Sequence, residues 1–163
     1  MITPTYERVH ELLDYNTETG LFYWKIVRNS YSDIGREAGC RKGPDGMVQL
    51  RIDGRSYKSH RIVWLWMTGN YPTLEIDHID GNRQNNSWSN LREVSRSVNQ
   101  QNLKNPLSTN KSGFLGVRNR RGRSFAEIRI EGDLIRSTCY TTPEQAHKEY
   151  VRLKRIYHPG CTL

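Results

Sequence analysis

Apolar residues near the start of the chain recur with the spacing of one helix face. The i, i+3, i+6, i+7 pattern is formed by Tyr6, Val9, Leu12 and Leu13. His10 lies off this stripe, so we expect its side chain to be solvated. The pattern predicts a short N-terminal helix with its apolar face against a core.

Two strand segments follow this helix. Residues 21–25, LFYWK, are rich in strand formers and come directly after the turn residues 16–20. Residues 47–52, MVQLRI, alternate apolar and polar side chains. Residues 53–54, Asp-Gly, favour a tight turn into residues 55–58, and this arrangement predicts a β-hairpin.

A second helix is predicted over residues 59–67. Gly69 follows it as a natural left-handed C-cap. We interpret His60, near its start, as a packing or phosphate-contacting residue and not as a catalytic one. The core candidates on this helix are Ile62, Val63, Trp64 and Trp66.

The polar stretch that follows predicts a strand, a long loop, a second strand and a helix. Residues 80–82, Asp-Gly-Asn, supply turn chemistry, and the polar run up to Asn90 has too few apolar residues to form a packed element. Residues 91–94, LREV, alternate as a half-buried strand does. Ser95 can then cap a helix through its hydroxyl group.

The side chains of this stretch suit hydrolysis of a phosphodiester. Mg²⁺ takes oxygen ligands and is held by few protein groups, which Asp77 and Asn99 can supply. His78, an imidazole with an ordinary pKa of about 6.5, can take a proton from an attacking water. Neighbours on a regular strand point to opposite faces, so Asp77 and His78 converge only where the strand ends or bends. A surface hydrogen-bonding pair is the alternative interpretation.

The same stretch resembles the HNH homing-endonuclease family, which has a ββα-metal fold, in the branch where asparagine replaces the last histidine. The matching residues are DHIDGN at 77–82, NN at 85–86, NL at 90–91 and Ser-x-x-x-Asn at 95–99. Residues 59–64 resemble the family's lead-in helix. The resemblance implies that Asp77 and Asn99 are metal ligands and that His78 is the general base. It implies that Asn90 belongs to the catalytic site as the residue that braces the loop.

The C-terminal third has a different pattern. Residues 104–111, KNPLSTNK, lack apolar periodicity, and we interpret them as a linker. Three strands are then predicted at 114–118, 124–130 and 134–140, with turns at Gly122 and Gly132-Asp133. A helix begins at Thr142-Pro143. The stripe that can cover one sheet face is Ala146, Tyr150, Leu153 and Tyr157.

The uncovered face of this sheet is predicted to carry arginines. A sheet in the major groove of DNA can place guanidinium groups on phosphates or on guanine edges. The candidates on that face are Arg118, Arg120, Arg129 and Arg136. Arg121 and Arg123, at the turn, are predicted to contact phosphates. The alternative is a solvated basic sheet.

This module resembles the AP2 domain family. The matching segments are SGFLGVR at 112–118, AEIRI at 126–130 and TTPEQAHKEY at 141–150. The resemblance implies a three-stranded sheet that binds duplex DNA. Leu115 stands where plant AP2 domains often have arginine, and the turn lacks their tryptophan, so the base specificity stays open.

Composition and charge favour a polyanionic partner. The chain has 25 Lys and Arg against 17 Asp and Glu, a net charge of +8, and most of the excess lies in residues 107–163. No apolar run approaches the ~20 residues of a membrane span, and the N-terminal residues lack a signal-peptide core. We therefore expect a cytoplasmic protein with no membrane partner. The separated cysteines Cys40, Cys139 and Cys161 predict no structural zinc.

Together the patterns predict an α+β chain with two modules. We expect an HNH endonuclease domain at 1–103, with its ββα-metal core at 74–103, a linker at 104–111 and an AP2-like domain at 112–160. The predicted function is metal-dependent hydrolysis of double-stranded DNA, with Mg²⁺ or Mn²⁺, by a phage-type enzyme that is a monomer or a weak dimer. The alternative is a catalytically silent, sequence-specific DNA-binding regulator.

Overall fold

The computed structural model describes residues 3–26, 34–41 and 46–163. The chain is divided into two compact units, Met1–Val94 and Ser95–Leu163. Hydrophobic clusters are present in both units. Helices and small antiparallel sheets also occur in both, so the predicted α+β class is confirmed.

The division between the units falls at the end of the motif's second strand. Val94 closes the first unit, and Ser95, the cap of the motif helix, opens the second. Asn99 and the predicted linker 104–111 therefore belong to the second unit. The domain limits 1–103 and 112–160 stay predictions.

The N-terminal helix is shorter than its apolar stripe. Helix α1 (Tyr6–Leu12) buries Val9 and Leu12 as predicted. Leu13 is instead the first residue of strand β1 (Leu13–Asn16), with φ −125° and ψ 157°. Its burial comes from the alternation of a strand, because residues of this strand are buried and exposed in turn.

His10 is not solvated as predicted. Its ring stacks on the indole of Trp66, with centroids 3.5 Å apart, and Nε2 lies 3.4 Å from the Trp66 carbonyl oxygen. Tyr6 flanks the same ring at 4.1 Å. His10 is thus a packing residue between two helices, a contact that spacing within one helix cannot predict.

Over its described residues the first unit has three small antiparallel sheets, each built from strands that are consecutive in the chain. At the turn of the predicted hairpin, Asp53 and Gly54 both have positive φ, 46° and 79°, as a two-residue hairpin turn requires. The strands after β1 are β2 (Leu21–Trp24), β3 (Glu37–Ala38), β4 (Cys40–Arg41), β5 (Val48–Ile52), β6 (Arg55–Lys58), β7 (Glu75–His78) and β8 (Leu91–Val94).

Helix α2 (Ser59–Thr68) lies between the second and third of these sheets in the chain. It ends at Gly69, whose φ of 76° is the left-handed cap that the sequence predicts. The predicted core residues pack against the central cluster, Ile62 and Val63 fully buried and the two tryptophans partly.

The second unit is a three-stranded antiparallel sheet whose central strand is also the middle one in sequence, with helices before and after it. The last helix begins as predicted, with Thr142 as its N-cap and Pro143 in its first turn. The elements are α3 (Arg96–Gln101), β9 (Val117–Arg120), β10 (Arg123–Ile130), β11 (Asp133–Tyr140) and α4 (Pro143–Tyr157).

Two details of the sheet differ from the prediction. Strand β9 begins at Val117 and not at Phe114, because Gly116, with φ 70°, closes a turn in which Val117 N donates to the Phe114 carbonyl oxygen. The turn between β10 and β11 is Glu131-Gly132, since Asp133 already pairs with Ile130 in the ladder.

The apolar stripe of α4 is also only partly correct. Ala146 and Tyr150 are buried, but Tyr157 is 49% exposed. The buried residue of the last turns is Lys154, 1% exposed, whose ammonium donates to the Leu103 carbonyl oxygen. A carbonyl partner lets a long cationic side chain occupy a position where the pattern predicts an apolar one.

Within the ranges that the structure describes, no helix is long and apolar enough to cross a membrane.

Candidate active site

Strands β7 and β8 form the hairpin that holds the motif residues. Asp77 lies opposite Arg92 in the register, and two residues further Ile79 N donates to the Asn90 carbonyl oxygen at 2.9 Å. Asp77 and His78 are each 5% exposed. The alternative of a surface hydrogen-bonding pair does not fit this burial.

The loop between these strands is packed and internally hydrogen-bonded, contrary to the expectation from its polar sequence. Asn90 Oδ1 accepts from Asp80 N at 2.9 Å, and Asn90 Nδ2 donates to Asp80 Oδ1 at 2.9 Å and to the Asn85 carbonyl oxygen at 2.8 Å. Asn86 and Asn90 are both buried. Buried polar groups need partners, and Asn90 finds them in the Asp80 carboxylate and in the loop backbone.

The Asp80 carboxylate is the acceptor at the centre of this loop. Its Oδ2 accepts from Asn85 Nδ2 at 2.8 Å and its Oδ1 from Asn82 N at 2.7 Å. Burial raises the pKa of Asp80, but these hydrogen bonds and the one from Asn90 outweigh it, and the net pKa is lowered. Asp80 therefore remains an anion that fixes the loop.

His78 is oriented by Asn86. Its Nε2 lies 3.0 Å from Asn86 Oδ1, and because an amide oxygen can only accept, Nε2 donates and the basic lone pair is on Nδ1. Burial lowers the pKa of His78, with the Asn86 hydrogen bond opposing it. The imidazole is therefore neutral at pH 7, the form that can accept a proton.

A second histidine, His60 of α2, packs against His78. The ring centroids are 5.2 Å apart and the ring planes are nearly perpendicular, at 85°. His60 is 5% exposed, and burial lowers its pKa to about 3, so it is neutral at pH 7. His60 is thus a packing residue, as expected. Its ring packs on His78, the predicted general base.

Asp77 is paired with Arg92 across the hairpin. Arg92 Nε and Nη2 lie 2.9 and 2.8 Å from Asp77 Oδ2, and the carboxylate is the more buried partner. Asp77 and His78 are thus neighbours on β7 that contact different groups, Arg92 and Asn86.

Asn99, the other predicted metal ligand, is in the second unit. It lies on α3, where Ser95 is the N-cap and accepts from Val98 N through Oγ, as predicted. Asn99 N donates to the Ser95 carbonyl oxygen at 3.0 Å. Its side chain is half-buried.

The donor set fits a hard cation in chemical type. Asp77 offers a carboxylate and Asn99 an amide oxygen, both of the kind that Mg²⁺ prefers. Among the residues that the structure describes, no group of three His, Cys, Asp or Glu side chains could hold a metal ion.

The N-terminal part of the unit supports the loop that orients His78. Tyr15 Oη donates to the Asn86 carbonyl oxygen at 2.7 Å, and Trp88 N donates to the Thr17 carbonyl oxygen at 3.1 Å. Gly20, with φ 74°, approaches the loop so closely that a Cβ there would lie 2.3 Å from Asn86 C and Ser87 N.

We expect Gly20→Ala to lower both stability and any activity of the site. The left-handed φ costs about 1 kcal/mol for alanine, and the clash with loop backbone adds about 1–3 kcal/mol, while Asn86 is displaced from His78. The matched control is Gly54→Ala, which has the same strain at φ 79° but nothing within 4 Å. Thermal unfolding distinguishes the two, and equal losses of stability would contradict the role of the close approach.

The arginines of the second unit lie mainly on one sheet face. The register pairs Arg120 with Arg123 and Arg118 with Phe125, and α4 covers the opposite face through Ala126 and Ile128. Arg121, at φ 51°, is in the β9–β10 turn. The exposed arginines of the sheet face are Arg118, Arg120, Arg123, Arg129 and Arg136.

Arg136 is already in an ion pair with a carboxylate. Its Nη2 lies 2.7 Å from Glu127 Oε1, and its guanidinium carbon lies 5.8 Å from the ring centroid of Phe125. The loop residues Thr109–Ser112 border this face near Arg118 and Arg129, and with Glu127 they line an open trough. The part of the face beside Arg118 and Arg129 is therefore an open, polar trough.

Three contacts of the first unit were not predicted from the sequence. Asn86 orients His78, Arg92 pairs with Asp77, and His60 packs on His78. Of the residues in these contacts that the sequence analysis gave no role, only Asn86 belongs to a matched motif segment, the NN pair at 85–86. The other two contacts depend on which side chains the hairpin and α2 bring together.

Comparisons with known proteins bear on the same stretch. Residues 57–101 match the family model described as HNH endonuclease. The chain is 30% identical over 102 residues to the DNA endonuclease I-HmuI of Bacillus phage SP01, and the match covers 62% of this chain. It spans about half, 52%, of the length of that relative.

A solved structure gives a further similarity, that of DNA binding and cleavage by the HNH homing endonuclease I-HmuI. The two chains are 20% identical, the match covers 98% of this chain and 95% of the other, and the TM-score is 0.47. Residues 57–101 are therefore similar to the HNH endonuclease family, and the chain shares sequence with a DNA endonuclease over 102 residues.

Proposed function

We propose that the protein is a metal-dependent endonuclease that hydrolyses phosphodiester bonds in double-stranded DNA. The observation that carries the proposal is the buried His78, neutral and oriented by Asn86, next to the Asp77 carboxylate within the HNH segment. The relative I-HmuI is a DNA endonuclease by name, and its phage source supports a phage source here.

His78 acts as the general base in this proposal. Nδ1 takes a proton from water as the water oxygen attacks phosphorus, and the bond from phosphorus to the 3′ oxygen breaks. The 3′ oxygen leaves as the alcohol after protonation by solvent, and the phosphate stays on the 5′ end. A base kept neutral at pH 7 by burial is in the correct protonation state for this step.

Asp77 and Asn99 would hold the divalent cation, Mg²⁺ or Mn²⁺. The ion would supply charge stabilisation for the phosphate and the leaving oxygen. Arg92, whose Nη2 lies 2.8 Å from Asp77 Oδ2, fixes the rotamer of that carboxylate.

The basic sheet of the second unit would target the enzyme to duplex DNA, as the AP2 resemblance implies. Exposed arginines on one face suit phosphate and guanine contacts. A deep, narrow RNA major groove admits such a sheet poorly, so double-stranded DNA is the proposed substrate.

Asn90→Ala is expected to lower the nicking rate by about tenfold or more, because the site would lose its geometry. Three hydrogen bonds of the Asn90 amide would be lost, and leaving Asp80 N and the Asn85 carbonyl oxygen unpaired costs about 1–3 kcal/mol each. Thermal unfolding and single-turnover nicking measure the two effects. The exposed Asn82→Ala is the control, and a normal rate in Asn90→Ala would contradict the bracing role.

Plasmid cleavage tests the whole proposal. Purified protein is incubated with supercoiled DNA and Mg²⁺, Mn²⁺ or EDTA, beside Asp77→Ala and Asn99→Ala. Nicking or linearisation that needs the cation and is lost in both variants is the expected result. Duplex binding without cleavage under any cation would instead favour the DNA-binding regulator.

A further inference from the structure

Helix α3 is too short and too exposed to be ordered by itself. It has six residues, Arg96–Gln101, and none of them is buried. Isolated helices below about 12–15 residues are marginal in water. The side chain that the proposed function needs from this helix, Asn99, therefore depends on contacts from elsewhere.

The end of the chain supplies such contacts on one side of α3. Gly160 N donates to Gln101 Oε1 at 3.1 Å, and Thr162 Oγ1 donates to Oδ1 of the buried Asn102. Gly160 approaches so closely that a Cβ there would lie 2.2 Å from the Val98 carbonyl oxygen. Val98, Gln101 and Asn102 are at i, i+3 and i+4, one face of the helix.

Lys154 holds the chain just after the helix. Its ammonium is buried among its neighbours, donates to the Leu103 carbonyl oxygen and lies 5.6 Å from the ring centroid of Tyr150. The structure describes no carboxylate in an ion pair with it. Burial lowers the pKa of Lys154, so the charge is held there at an energetic cost. Apolar packing alone would not need a lysine at this position.

The tail that contacts α3 is itself tied to the rest of the unit. His158 N donates to the Lys154 carbonyl oxygen at 2.9 Å, and His158 Nε2 lies 2.7 Å from the Arg129 carbonyl oxygen. Cys161 N donates to the His158 carbonyl oxygen at 2.9 Å. The tail is thus anchored to both α4 and strand β10.

We propose that Lys154 and the tail residues Gly160 and Thr162 are positioning residues that fix α3 so that Asn99 can serve in catalysis. The inference rests on the proposed function, in which Asn99 is a metal ligand. Displacement of a positioned group by about 1 Å can cost about 10²-fold in rate. An anchor in the DNA-binding unit thus sets the geometry of a residue of the nuclease motif.

The first test compares Lys154→Met with Lys148→Met, the same substitution at an exposed position of α4. Methionine keeps the length of lysine and removes the donor to Leu103. In Lys154→Met we expect faster hydrogen exchange over residues 96–103 and unchanged exchange in β9–β11. We also expect kcat for nicking to fall by about tenfold with KM for DNA almost unchanged. Lys148→Met should match the wild type in every measurement.

A second pair of variants, Gly160→Ala and Gly113→Ala, tests the same proposal if Lys154→Met does not fold. Alanine at 160 meets the Val98 carbonyl oxygen, whereas at 113 it meets nothing within 4 Å and only carries the strain of φ 75°. We expect Gly160→Ala to loosen α3 and to raise the Mg²⁺ concentration needed for half-maximal nicking. Gly113→Ala should change only the melting temperature.

Each outcome decides the proposal. Unchanged exchange over 96–103 in both test variants overturns it, as does faster exchange with normal kcat and normal Mg²⁺ dependence. The proposal is also overturned if the fall in kcat is no larger than the fraction of variant molecules that are unfolded. If the wild type cuts no DNA with any cation, the proposed function fails, and the exchange measurement alone then decides whether Lys154 and the tail anchor α3.

Discussion

Replacing His78 with alanine is expected to lower DNA nicking by about 10²–10⁴-fold, the usual contribution of a general base. The imidazole is buried, is neutral at pH 7 and has Nε2 committed to Asn86. Alanine leaves no group to take the proton from water. Single-turnover nicking with saturating cation measures the loss, because product release then does not limit the rate.

The matched control is His10→Ala, the same substitution in the same unit. His10 packs on Trp66 and has no place in the proposed chemistry, so its variant should lose some stability and keep its nicking rate. DNA affinity, measured with EDTA present, should be normal in both variants. His78→Ala with more than about one tenth of the wild-type rate would contradict the assignment of the base.

The ends of several helices and strands were predicted correctly from the sequence. In these cases one or two residues determine where the element ends. Gly69 ends α2 because it accepts a left-handed φ, and Asp53-Gly54 turns the hairpin for the same reason. The prediction was wrong at Leu13, where a helical stripe continued by coincidence into a strand. At Tyr157 and Lys154 it was wrong because a backbone carbonyl satisfies the buried amine.

The site residues were named from a motif, but their contacts were not. Arg92 reaches Asp77 through the antiparallel register, and His60 reaches His78 from a helix earlier in the chain. Spacing along one segment contains no information on such pairs. The packed loop was missed for a related reason. Its hydrogen bonds join the Asn90 amide to the Asp80 carboxylate and to a backbone carbonyl, and hydrophobic periodicity does not detect such bonds.

The second large effect is expected for the basic sheet face. The variant Arg118→Ala/Arg120→Ala/Arg129→Ala should bind duplex DNA about 10²-fold more weakly at physiological salt, if each contact contributes about 1 kcal/mol. If all three arginines touch phosphates, the slope of log K against log salt should decrease in magnitude by about 2.7. Fluorescence anisotropy at four salt concentrations gives both quantities.

The control for this variant removes the same charge from the helix side of the unit. Lys148→Ala/Arg152→Ala/Arg155→Ala lies on α4, which covers the opposite face of the sheet. If only the net charge of the chain mattered, both triple variants would weaken binding equally, and the sheet would have no special role. A loss confined to the sheet variant, with kcat preserved at saturating DNA, would show that the arginine face binds the substrate while the HNH hairpin cuts it. Arg136→Ala should have a smaller effect than Arg118→Ala, because Glu127 already neutralises Arg136.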